Sequence, residues 1–265
     1  MEKSTIALFG ISAGILLLIL NFVVLNPPIR HTRICEEARL LAAIGERQKL
    51  FSLSESLYDR ALHEAESISS DDFRIAMTLD DLAFLHMRVK RFELADAELL
   101  ESSRLFPVLL KKTVGLKRDL LISELIRVNL FQARCRVHFQ QLEEARKLFL
   151  KTIRLQNEYG AELHSVDLAV LMRFKEAFCS YCKICVRTRQ QADAVTNLVS
   201  ALQPSGLPQH IPAYAKKEMR DALDELISAA EVPVSVQSGE LEKILAQMKT
   251  DDSTNSTKNK KGQSE

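Results

Sequence analysis

Four small residues, Ala42, Ala83, Ala133 and Cys182, stand 41, 50 and 49 residues apart, and each opens the same pattern. Twelve positions on comes another small residue: Ser54, Ala95, Ala145 or Ala194. Four further stands a large apolar one (Tyr58, Leu99, Phe149, Leu198), and three beyond that Ala61, Ser102, Thr152 or Ala201. Small residues at this spacing let two antiparallel helices approach closely, while the large one fills the groove of the neighbouring pair. Four copies in register make an internal repeat whose apolar faces are covered only by stacking.

The intervening chain agrees. Segments 36–50, 53–68, 71–89, 91–106, 117–139, 141–158, 164–188 and 190–203 carry apolar residues at i, i+3, i+4 and i+7, the spacing of an amphipathic helix. No stretch sustains the period-two alternation of a strand. Ser69-Ser70-Asp71-Asp72 fits a capping box ahead of a helix. Gly115, Gly160 and Gly206 follow helical segments, where a left-handed stop suits Gly. The expected fold is all-α, with about four helix pairs over residues 35–203.

This pattern resembles the tetratricopeptide repeat (TPR). The second pair fits best, through Leu82, Ala83, Phe92, Ala95, Leu99, Ser102 and Pro107. The segments Asp81 to Leu85 and Arg91 to Glu98 also look like the longer repeats of kinesin light chains. The spacings exceed the family's usual length, its Trp is absent, and only the second pair keeps the Pro. The resemblance implies a helical-hairpin solenoid that binds protein or peptide in a concave groove lined by the first helix of each pair.

The two ends differ from this middle. Ile6 to Leu25 is almost uninterruptedly apolar and uncharged, long enough as a helix to span roughly 30 Å of hydrocarbon. It ends at Asn26-Pro27-Pro28, without the small-residue site of a cleaved signal peptide. Residues 1–28 are therefore expected to be a transmembrane anchor, with the prolines ending its helix. Lys3 lies on one side and Arg30, Arg33 and Arg39 on the other, which favours a cytoplasmic C-terminal domain. The periplasmic or lumenal side is the alternative. After the array, residues 204–249 hold a helix from Pro212 to Ala230 that would cap the last pair, and a short helix from Gly239 to Lys249. Residues 250–265 have nothing apolar to bury and are expected to be disordered.

Signals of chemistry are few. Cys179, Cys182 and Cys185 have a metal-like spacing, but on one helix their sulfurs diverge, so core thiols explain them better. Five cysteines give no paired framework, and free thiols suit a reducing compartment. The six histidines are scattered, and His86 takes an aromatic packing position. With eight Gly and no nucleophile or phosphate-loop motif, no catalytic activity and no cofactor are expected. A net charge of +1 gives no general reason to expect nucleic acid.

The resemblance places Met77, Asp80, Phe84, Met87 and Arg88 on the concave face, then Arg127, Leu130, Arg134, Val137 and His138. Glu176, Cys179, Lys183, Val186 and Arg187 follow from the fourth pair. The candidate partner-binding residues are thus Arg88, Arg127, Arg134, His138, Lys183 and Arg187, a basic groove for an acidic peptide segment or carboxylate. The expected function is a membrane-anchored interaction scaffold. The alternative is a tethered chaperone-like or assembly factor in envelope or organelle protein quality control.

Overall fold

Helix follows helix from Pro27 onward in the computed structural model, which describes residues 26–44, 48–159, 168–202 and 211–229, with 208, 243, 244 and 246. The apolar run 6–25 and the tail 250–265 lie outside these residues, as does most of the segment 239–249. Among the described residues there is no strand, and no helix is long and apolar enough to cross a membrane. The chain divides into two compact units, one ending at Lys112 and the other starting at Thr113.

The first unit holds α1 (Pro27–Ile44), α2 (Gln48–Ile68), α3 (Phe73–Arg88) and α4 (Phe92–Lys112). Helix α1 pairs with α2, α3 with α4, and α2 packs on α3. The small residues sit at the crossings: Ser54, Ala61, Ala83, Ala95 and Ser102 are fully buried, and Ala42 nearly so. Two of them are polar yet satisfied. Ser54 Oγ donates to the Ala38 carbonyl (2.8 Å) and Ser102 Oγ to that of Ala76 (3.0 Å). The backbones therefore approach with no orphaned hydroxyl. Ile34, Leu57, Tyr58, Leu82 and Leu85 fill the space around the α1–α2 crossing.

The second unit holds α5 (Leu116–His138), α6 (Leu142–Tyr159), α7 (Leu168–Arg187), α8 (Gln191–Leu202) and α9 (Ala213–Ser228). Its crossing residues Ala133, Cys182, Ala145, Ala194, Thr152 and Ala201 are likewise buried, with Phe149 and Leu198 between them. Helix α6 packs on both α5 and α7, and α9 lies along α7 more extensively than α8 does. Ala215, Met219, Ala222, Leu223 and Leu226 make up the buried face of α9.

One turn is built three times. Helices α3, α5 and α7 each end in three residues whose middle member has positive φ: Lys90 at 64°, Gln140 at 60° and Arg189 at 56°. In each, the third residue's N–H reaches back five positions. Arg91 donates to the His86 carbonyl (2.9 Å), Gln141 to Arg136 (2.8 Å) and Gln190 to Cys185 (3.0 Å). These are Schellman stops, which satisfy the last helical carbonyls through a left-handed residue. None uses Gly.

Local details depart from the sequence expectations. Helix α1 starts at Pro27, nine residues before 36, and takes in prolines assigned to the end of the anchor. In a first turn the missing N–H costs no intrahelical bond. Helix α4 runs through Pro107 to Lys112, because buried Phe106 and Leu109 hold both sides of the proline in place. Gly115 is no helix stop but the N-cap of α5 (φ 62°, ψ −148°). The cap of α3 is Asp72, whose Oδ1 accepts from the Arg74 N–H (2.9 Å), while Ser69 bonds to Asp71 instead of closing a capping box.

Candidate interaction surfaces

In the first unit, the first helices are joined by polar contacts along their length. His31 Nε2 lies 2.8 Å from Thr78 Oγ1 and 3.5 Å from Cys35 Sγ, all buried between α1 and α3. Burial, with Arg74 nearby, lowers the His31 pKa, and burial raises that of the Cys35 thiol. Both shifts favour a neutral imidazole and a neutral thiol, the opposite of an activated nucleophile. One turn on, Arg39 donates through Nε (2.9 Å) and Nη2 (2.5 Å) to Asp81 Oδ2. Arg88 closes the row. Its Nη1 donates to the Ala42 carbonyl (2.6 Å), and its guanidinium lies 5.5 Å from the Phe51 ring centroid. The first of these contacts satisfies a carbonyl at the end of α1.

Beside Arg88 a cleft of about 380 Å³ opens between α2 and the α3–α4 turn, walled by Phe51, Glu55, His86, Arg88, Lys90 and Arg91 among others. His86 is its buried floor. Nδ1 lies 2.8 Å from Glu98 and Nε2 3.1 Å from Glu55, and Arg91 Nη1 donates to both oxygens of Glu55 (3.1 Å each). With both carboxylates ionised, both ring nitrogens donate, which requires the imidazolium. Burial alone would lower the His86 pKa, but the hydrogen bonds and charges of Glu98 and Glu55 outweigh it and raise the value.

In the second unit, the residues expected to form a basic groove have separate fates. Arg134 meets Glu176 in a two-pronged ion pair linking α5 to α7, and Arg127 Nη2 pairs with Glu124 on its own helix (2.7 Å). His138 is exposed, its ring edge-on to Phe139 at 5.6 Å. Lys183 and Arg187, one turn apart on α7, are exposed and make no ion pair or hydrogen bond among the described residues. Leu130 belongs to the core, and on α3 Asp80 is fully buried, so neither faces a groove. Phe84 of α3 remains 42% exposed.

The three cysteines of α7 lie on one uninterrupted helix, with Cys182 and Cys185 buried. Burial pushes the Cys179 and Cys185 thiols up to about 11 and Cys182 well above its ordinary value. They therefore pack as neutral groups. Among the described residues no group of three or more His, Cys, Asp or Glu is placed to hold a metal ion.

No protein-family model matches this sequence, and no curated protein matches it. Solved structures do. BtubC (BKLC) from P. vanneervenii superposes with a TM-score of 0.54 at 15% identity, over 86% of this chain and 81% of that one. The fold is a TPR-like helical repeat. A putative kinesin light chain from Podosopora anserina with nearly identical TPR-like repeats also matches, at a TM-score of 0.47 and 16% identity, over 83% of this chain and 93% of that one. At these identities the likeness concerns the fold alone.

The TPR-like frame was readable in the sequence, but the ion cluster under the cleft was not. Glu55, Arg91 and Glu98 look like solvated charges when read one helix at a time. The one signal was His86 itself, a titratable ring at a position that otherwise takes an aromatic.

Proposed function

We propose that the chain is a membrane-anchored docking scaffold that binds an acidic protein or peptide on the first-helix faces of its repeats and performs no chemistry. The observation that carries this reading is on α7, where Lys183 and Arg187 are exposed, without an ion pair among the described residues, beside half-buried Val186. Arg88, Arg127 and Arg134 are engaged by the fold, so the basic character of the groove rests on this α7 pair with exposed His138 on α5. Two adjacent exposed cations attract an acidic segment, and such binding weakens as salt screens it. The anchor is the uncharged run 6–25, which leads directly into α1 at Pro27. The Lys/Arg balance across that run favours a cytoplasmic repeat domain.

The test uses the full chain in membranes carrying Lys183→Glu with Arg187→Glu. Partner co-purification is expected to fall sharply while the melting temperature holds, because exposed unpaired charges contribute little to stability. The same reversal at Arg104 and Lys151, on second helices, is the control. Equal loss in both variants, or no loss in either, overturns the reading.

A further inference from the structure

We propose that the cleft between α2 and the α3–α4 turn is a binding site for an organic carboxylate carried on an apolar body. It lies wholly in the first unit and is independent of the α7 surface. Its floor is already balanced: His86 and Arg91 set two positive charges against Glu55 and Glu98, each joined by hydrogen bonds. Its mouth is not. Arg88 and Lys90 both line the cleft, and no carboxylate among the described residues pairs with either.

Arg88 is also fixed in advance. The Ala42 carbonyl holds Nη1 and the Phe51 ring lies beneath the guanidinium. Its remaining N–H groups are thus presented with little side-chain freedom left to lose. A planar fork with a neighbouring ammonium suits a carboxylate. Phe51 and Val89 offer an apolar wall directly beside that fork, which a bare inorganic anion would leave wet. The cleft volume of about 380 Å³ falls at the lower end of small-ligand sites, roughly 300–1,000 Å³. The matching ligand therefore has its acid group one or two bonds from an aromatic or branched aliphatic body. A free carboxylic acid and an acidic side chain flanked by apolar ones in a partner protein share that chemistry.

The experiment titrates the full chain in detergent with 3-phenylpropionate and its neutral twin 3-phenylpropionamide, followed by calorimetry and ligand-observed NMR. A second arm uses acetyl-Phe-Asp-Phe-amide against acetyl-Phe-Asn-Phe-amide. In at least one arm the acid is expected to bind roughly tenfold more tightly than its neutral twin, the value of about one charge-assisted contact. The arm showing the larger ratio assigns the source. Lys90→Gln and Arg88→Gln are each expected to weaken acid binding roughly tenfold. Because Arg88→Gln also frees the Ala42 carbonyl, Lys90→Gln decides if that variant unfolds. Lys183→Glu with Arg187→Glu should leave this binding unchanged, which separates the site from the α7 surface. Acids and neutral twins binding alike in both arms, no acid binding at millimolar concentration, or Lys90→Gln binding as wild type overturns the proposal.

Discussion

Arg134 on α5 and Glu176 on α7 face each other fork to fork, Nε to Oε1 at 2.6 Å and Nη2 to Oε2 at 2.5 Å. The residue expected to reach for a ligand is holding two helix pairs together. Both side chains are about one-third exposed, so the pair is screened and its value is modest. Arg134→Glu sets two carboxylates against each other and should destabilise the second unit by about 1 kcal/mol. The exchange Arg134→Glu with Glu176→Arg should recover most of that, as urea denaturation of the three variants would show.

The left-handed stops give a test of opposite sign. Gln140 adopts φ 60° with a full side chain, a conformation that favours Gly. Gln140→Gly should therefore stabilise by about 0.5–1 kcal/mol, and Lys90→Gly and Arg189→Gly similarly. Gly115 should behave in reverse. A Cβ there meets nothing within 4 Å, yet the backbone sits at φ 62° with ψ −148°. That region is essentially reserved for Gly. Gly115→Ala should cost about 1–3 kcal/mol through backbone strain alone. Thermal melts of the four variants check both signs.

What the sequence made legible follows from how far each feature reaches along the chain. Ala83, Ala95, Leu99 and Ser102 were readable because a helix crossing restricts side-chain volume at fixed spacing, and all four are buried. The stops at Lys90, Gln140 and Arg189 were not, since tertiary packing imposes a conformation that their residue types do not announce. Nor was the start of α1: the prolines, arginines and histidine of 27–33 read as a membrane flank, whereas His31 is buried against Thr78, 47 residues away. Of the six candidate groove residues, sequence placed each on a first helix; Arg127 pairs locally with Glu124, three residues before it, but nothing local told that Arg134 and Arg88 would find an acidic or carbonyl partner. That depended on Glu176 and Ala42 from neighbouring helices.

Stability should depend on the charge of His86. Its folded pKa is raised above an unfolded value of about 6.5. The contribution is therefore fully present below that unfolded value and lost as pH rises through the folded one. Burial raises the Glu98 carboxyl despite the pull of His86, and this too favours the protonated, lower-pH side. Denaturation midpoints should fall on going from mildly acid to mildly alkaline buffer. His86→Gln should cost about 1–3 kcal/mol and flatten that slope. An unchanged slope in the variant would assign the pH dependence to other groups.

The register of the repeat is tested within one helix. Ala95 is fully buried at the α3–α4 crossing, whereas Ala97 is exposed. Ala95→Leu forces bulk between two backbones and should destabilise by about 1–3 kcal/mol. Ala97→Leu should change stability by less than about 0.5 kcal/mol. Equal costs in chemical denaturation would show that α4 presents a different face to α3.

If the first-helix surface of α7 receives a partner while the chain is tethered to a membrane, the two can be trapped in contact there. A photoreactive residue in place of Arg187, in the full chain in native membranes, tests it most directly. The same residue in place of exposed Ser200 on α8 samples the neighbouring second helix. A discrete cross-linked protein is expected from position 187, recovered with the membrane fraction and diminished by added salt, and none from position 200. The same adducts from both positions, or none from 187, would contradict it.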